Sequence, residues 1–179
     1  MKWYFVILIV VMISVNLFSA CEMEPIDFVK KDVEQTNLPH LSFQSSSQKN
    51  YIFKSTSQVD EYINEIKDKF FEDHSNSLEA QEQAQKEWEE KILPAYNAAF
   101  SKYNDVFFTK SNLVMILLYT GINTIKLSVK NLYVKNNELH VKINRFFIPG
   151  PTPGIVVSVC FFIQLLKESF NGDKVYVDQ

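Results

Sequence analysis

Two periodicities divide the chain. From Val59 to Phe70 the apolar residues Val59, Tyr62, Ile63, Ile66 and Phe70 recur at three- and four-residue steps. Glu61, Asn64, Glu65 and Asp68 take the opposite side. Ser57, with Asp60 three places on, is the expected cap, so the spacing predicts a helix over about 58–73 behind a short strand at 51–54. A break at 73–77 opens a more polar helix over about 78–93, capped by Asn76 or Ser77. Its apolar positions are Leu78, Ala84, Trp88 and Ile92, and Pro94 ends or kinks it. Residues 95–104 resume as a helical turn that points Tyr96, Phe100 and Tyr103 inward.

Beyond Val106 the period becomes two. Val106-Phe107-Phe108 leads through a turn at 109–112 into the unbroken apolar run 113–119, too short to span a bilayer and suited to a strand buried on both faces. Ile125, Leu127 and Val129 then alternate with Lys126, Ser128 and Lys130. Leu132 and Val134 restart the pattern one place out, which calls for a bulge near Asn131. Asn136-Asn137 is the expected hairpin turn, after which Leu139, Val141 and Ile143 face in and His140, Lys142 and Asn144 face out. The Pro/Gly stretch 149–154 is an exposed loop, 155–166 a second buried strand broken at Ser158, and Val175 and Val177 mark a last short strand after an Asn171-Gly172 turn. The pattern is α+β. Some six mostly antiparallel strands over about 106–178 form a sheet, sandwich or barrel, with two amphipathic helices at its start.

The N-terminus adds a location. Lys2, the apolar run 3–18 and the small residues Ser19 and Ala20 make 1–20 a signal peptide. Residues 17–21 (LFSAC) resemble the lipobox of bacterial lipoproteins, in which the cysteine is lipidated. On that resemblance Cys21 carries palmitate-type acyl chains, with an uncleaved anchor or a plain secreted protein as the alternatives. Residues 21–50 show little periodicity and are Ser/Gln-rich toward their end. They read as a flexible tether with a short helix around Phe28, Val29 and Val33, leaving a single domain at 51–179.

Composition excludes more than it selects. The 179 residues are 46% hydrophobic and 22% charged with a net charge of -3, an ordinary globular balance with no global case for nucleic-acid binding. The charge is uneven. Residues 58–91 hold eleven Asp/Glu against four Lys, a net of -7, whereas 106–170 hold seven Lys/Arg against two Glu, a net of +5. The simplest expectation is that the two halves lie side by side and partly neutralise each other. The sharper one is a basic sheet face, carrying Lys126, Lys130 and Lys142, turned to anionic lipid or wall polymer.

Candidate chemistry is sparse. His40, His74 and His140 have no metal-ligand spacing, so no metal or cofactor is expected, and no phosphate-cradling loop or nucleophile elbow occurs. No catalytic residue can be named and the chain reads as non-enzymatic. With Cys21 lipidated no internal disulfide is available, and Cys160, inside an apolar run, reads as a small buried hydrophobe. The loop residues Pro149, Gly150 and Pro151 are the other binding candidates, because loops held on rigid sheets often carry recognition.

One family shares this order of features. Tyr103 with Phe107 and Phe108, the apolar strand 113–118, the alternating strands 124–129 and 139–143, the Pro/Gly loop 149–154 and the aliphatic strand 161–167 ending in Lys resemble the C-terminal domain of PrcB-type lipoproteins. Related small lipoproteins of clostridial-type bacteria share the pattern. Thr120-Gly121-Ile122-Asn123 stands where better-known members have Thr-Gly-Gly-Tyr. The resemblance implies a β-rich domain lipid-anchored on the extracytoplasmic face of the bacterial membrane, in one member stabilising a surface protease complex. It implies an envelope protein or protease complex as partner and brings no catalytic residues.

Overall fold

The computed structural model describes residues 24–25, 33–36, 38–39, 41, 48–120, 125–147 and 157–178. Its strands are β1 (Glu24–Pro25), β2 (Val33–Thr36), β3 (Lys49–Phe53), β4 (Ser111–Thr120), β5 (Ile125–Lys135), β6 (Glu138–Phe147), β7 (Val157–Leu166) and β8 (Val175–Asp178). They form two four-stranded sheets: sheet I in the order β2-β7-β4-β3 and sheet II in the order β1-β5-β6-β8. Every pairing is antiparallel except β6 with β8. Neither sheet closes into a barrel, and the α+β class read from the sequence holds.

The apolar run behaves as its composition requires. Paired with β7 along its whole length, β4 sends Leu113, Met115 and Leu117 into one apolar cluster and Val114, Ile116 and Leu118 into another, all with almost no exposure. The first cluster joins sheet I to the helices. The second fills the space between the sheets with Leu127, Leu132, Leu139, Val141 and Ile143 from sheet II. Two buried faces explain why β4 cannot alternate in hydropathy.

Helix α1 (Thr56–Asp73) buries the expected stripe of Val59, Tyr62, Ile66 and Phe70 against sheet I. Its cap is Ser55 rather than Ser57. The Ser55 hydroxyl accepts from the Gln58 N–H, and Gln58 Oε1 accepts in turn from the Lys54 N–H at 2.6 Å, a reciprocal arrangement close to a capping box. Helix α2 (Leu78–Glu87) starts at Ser77, whose hydroxyl accepts from the Ala80 N–H at 3.1 Å, but its first residue, Leu78, is exposed rather than part of the buried stripe.

This second helix does not end near Leu93. It continues through a π turn (Trp88–Ile92) into α3 (Leu93–Phe100). The buried residues Ala84, Trp88, Ile92, Tyr96 and Phe100 are spaced four apart throughout. On a 3.6-residue helix that spacing walks around the axis by about 40° per step, and one wider turn rewinds it. Pro94 follows close on the π turn, where the ladder is already shifted and its missing N–H falls.

Residues 105–110, expected as the entry to the sheet, are instead a short helix, α4 (Asp105–Lys110). Asn104 Oδ1 accepts the Phe107 N–H at 3.1 Å and so nucleates the turn locally. Ser158 does not interrupt β7, because its backbone pairs with Tyr119 like its neighbours. The stretch 21–50 also differs from a free tether. Val33 starts a strand rather than lying in a helix, β1 and β2 pair with β5 and β7, and Leu38 and Leu41 are buried. Both recruitments cover sheet edges that would otherwise stay open. Among the described residues no helix is long and apolar enough to cross a membrane.

Candidate binding face

The outer side of sheet II is set by local rules. Asn136 and Asn137, with φ of 52° and 59°, close a two-residue turn in the mirror-image geometry that suits the strand twist. The register Lys135↔Glu138 and Tyr133↔His140 follows from that turn. Farther along, the register shifts between Val129 and Asn131, so Lys130 is the extra residue and both Lys130 and Asn131 are exposed. The bulge preserves the buried parity of Leu127 on one side and Leu132 on the other.

Three exposed lysines, Lys126, Lys130 and Lys142, therefore share one face with half-buried Lys135. Across it runs an aromatic row. Tyr133 stacks on His140 at 4.8 Å and 5° between planes, and His140 stacks on Tyr176 of β8 at 5.1 Å and 20°. The spacing is that of neighbouring strands, so the rings stand side by side, with the Tyr176 hydroxyl on Glu138. Phe146, 54% exposed, lies on the same face opposite Lys126. Among the described side chains the acidic residues on this face are Asp178, in register with Lys142, and Glu138, which accepts from Lys174 Nζ at 3.2 Å and from the Tyr176 hydroxyl at 3.3 Å.

The acidic helices do lie beside part of the basic half, against β4 and β7, but they do not reach the lysines of sheet II. The helices cover sheet I, and sheet I separates them from sheet II. Among the described residues the ion pairs are Lys54–Asp173, Lys69–Glu65, Lys102–Glu34 and Lys174–Glu138. None joins a helix carboxylate to Lys126, Lys130 or Lys142. Apolar burial decides which sheet the helices cover, and exposed Coulomb terms, screened within about 8 Å at physiological salt, do not outweigh it.

The other sequence candidates lie elsewhere. Cys21, Pro149, Gly150, Pro151 and His40 are outside the described residues. His74 ends α1, with Nδ1 2.7 Å from the Phe70 carbonyl oxygen and its ring against Phe70. Cys160 is fully buried, and burial, then Glu34, pushes its thiol pKa up, so it stays protonated and enclosed. Burial likewise raises the phenols of Tyr62, Tyr103 and Tyr119 under the helices. No group of His, Cys, Asp and Glu among the described residues is arranged to hold a metal.

Sequence reasoning missed Tyr133 and Tyr176. Tyr133 was within reach, because a two-residue turn at Asn136-Asn137 puts it opposite His140. Tyr176 was not, because it reaches the row through the parallel β6–β8 pairing. A further concavity, an open groove of about 540 Å³, runs between the edge strands β3 and β8. It is lined by Asn50, Ile52, Asp173, Lys174, Val175 and Tyr176, and Asn50 Nδ2 donates to the Val175 carbonyl oxygen at 3.2 Å. Compared with protein-family models, with curated proteins and with solved structures, the chain matches none of them.

Proposed function

We propose that this protein is a PrcB-type lipoprotein, anchored through Cys21 on the extracytoplasmic face of a bacterial membrane, and that it binds rather than catalyses. On this reading 1–20 is a removed signal peptide, and the two sheets and their amphipathic helices form one layered sandwich. Its working surface is the outer face of sheet II, and its partner is polyanionic, anionic lipid or wall polymer. One observation carries the reading: the lysine-rich face is left uncovered, with the acidic helices on the far side of the molecule.

Two measurements test it. Palmitate fed to cells labels the wild-type chain and not Cys21→Ser. Association with anionic vesicles or wall polymer weakens with salt and is lost on reversing Lys126, Lys130 and Lys142 to Glu. Absence of label, or binding indifferent to salt, refutes the corresponding half.

A second reading, an envelope protein or protease complex as partner, is favoured by the groove between β3 and β8, since edge strands accept an added strand from another chain. Crosslinking in intact cells through photoreactive side chains at Asn50 and Tyr176 identifies such a partner. Crosslinks to no reproducible protein count against it.

A further inference from the structure

We propose that the polyanionic partner is the bilayer that carries the anchor, and that the outer face of sheet II lies against its headgroups. The inference rests on the lipoprotein reading and adds an orientation to it. Cys21 precedes Glu24 by three residues, so covalent geometry keeps the two within about 11 Å. Glu24 pairs with Val134 on β5, the strand that also carries Lys126 and Lys130. Thirty free residues would have allowed roughly 100 Å of reach. The pairing of β1 instead ties the anchor to the edge of sheet II.

Charge and side-chain chemistry choose the face. Among the described side chains Lys126, Lys130, Lys135 and Lys142 outnumber Glu138 and Asp178 on it, and Glu138 is already engaged by Lys174 and Tyr176. Tyr133, Tyr176 and Phe146 have apolar bodies suited to the headgroup region, the two tyrosines with polar tips, and lysine stems lie flat there with their ammonium groups among phosphates. The acidic helices point away, so the opposite orientation would set a segment of net charge -7 against an anionic surface. A wall polymer has compatible charge, but nothing ties it to this face as the anchor does.

The test uses the full lipidated chain, reconstituted in vesicles of phosphatidylcholine with or without phosphatidylglycerol. A fluorophore is placed on Ser128→Cys of the outer face or on Glu61→Cys of α1, while buried Cys160 stays unlabelled. With anionic lipid, headgroup nitroxides quench the Ser128 label and aqueous iodide does not, and the Glu61 label shows the reverse. Each lysine neutralised to Gln lowers the docked-to-undocked ratio about fivefold, so Lys126, Lys130 and Lys142 together lower it about a hundredfold while the protein stays on the vesicle. High salt has the same effect.

A Ser128 label equally open to iodide in both vesicle types overturns the orientation. So does protection that appears only when purified wall polymer is added, which assigns the face to the polymer. Failure of the anchor reads differently: wild-type protein then washes off the vesicles in high salt, as Cys21→Ser does.

Discussion

Phe161 and Phe162 are neighbours on β7 with different tasks, and the pair measures how firmly the helices belong to the fold. Both are 1% exposed. Phe161 points between the sheets. Phe162 points at the helices, with its ring 5.0 Å from Phe100 at 69° and 5.6 Å from Tyr103. Truncating either to Ala removes a ring and leaves a cavity that the flanking strands, fixed by their ladders, can only partly fill. Each change costs about 3–5 kcal/mol, a fifth or more of the roughly 5–15 kcal/mol typical of a domain.

The edge-to-face contact of Phe162 with Phe100 adds about 0.5–1.5 kcal/mol of coupling, measurable in a double-mutant cycle with Phe100→Ala. In urea, with a slope near 2 kcal/mol per molar, either truncation moves the midpoint down by about 2 M. Trp88, buried in the helix layer, reports that layer by fluorescence, and far-ultraviolet circular dichroism reports the whole chain. The two transitions coincide in the wild type. Should Phe162→Ala cost under 1 kcal/mol, or should the Trp88 transition separate from the dichroism, the helices would not share one cooperative core with sheet I.

Gly172 is buried under the Asn136-Asn137 turn, where an added Cβ would lie 2.0 Å from the Asn137 carbonyl oxygen and 2.7 Å from the Phe170 ring. Gly172→Ala therefore costs about 1–3 kcal/mol of overpacking and shifts β8, breaking the His140–Tyr176 stack. An unchanged melting temperature would show that the turn is not clamped. Cys160 and Tyr62 give a pH dependence. Burial raises both above their ordinary values of 9.0 and 10.0, so the unfolded chain releases protons that the folded chain keeps. Stability is then fully present below pH 9 and falls as pH rises, by about 1.4 kcal/mol per pH unit for each group once its unfolded form ionises. A urea midpoint that stays flat to pH 11 contradicts this. So does rapid reaction of Cys160 with a thiol reagent in the native protein at pH 8.

The chain's own periodicity determined a good deal. A run of seven apolar residues forced β4 to be buried on two faces, and the one-place shift after Val129 located the bulge to within a residue. Asn136-Asn137 set the hairpin, and the three-and-four spacing from Val59 to Phe70 laid down the buried side of α1. Each of these is a local rule, readable because steric and burial requirements repeat along a few consecutive residues. Helix limits were less legible. A four-residue apolar spacing admits either a helix that stops at Pro94 or one rewound by a π turn, and only packing against sheet I selects the second.

What the tertiary structure alone decided is the face itself. Tyr133, His140 and Tyr176 meet because a parallel strand from the end of the chain docks beside β6. Lys126, Lys130 and Lys142 stay open because the helices bury their apolar stripe on the other sheet. A sequence records the sign and order of charges. Which surface they occupy is settled by where the larger apolar term is satisfied, and that choice spans residues more than a hundred positions apart.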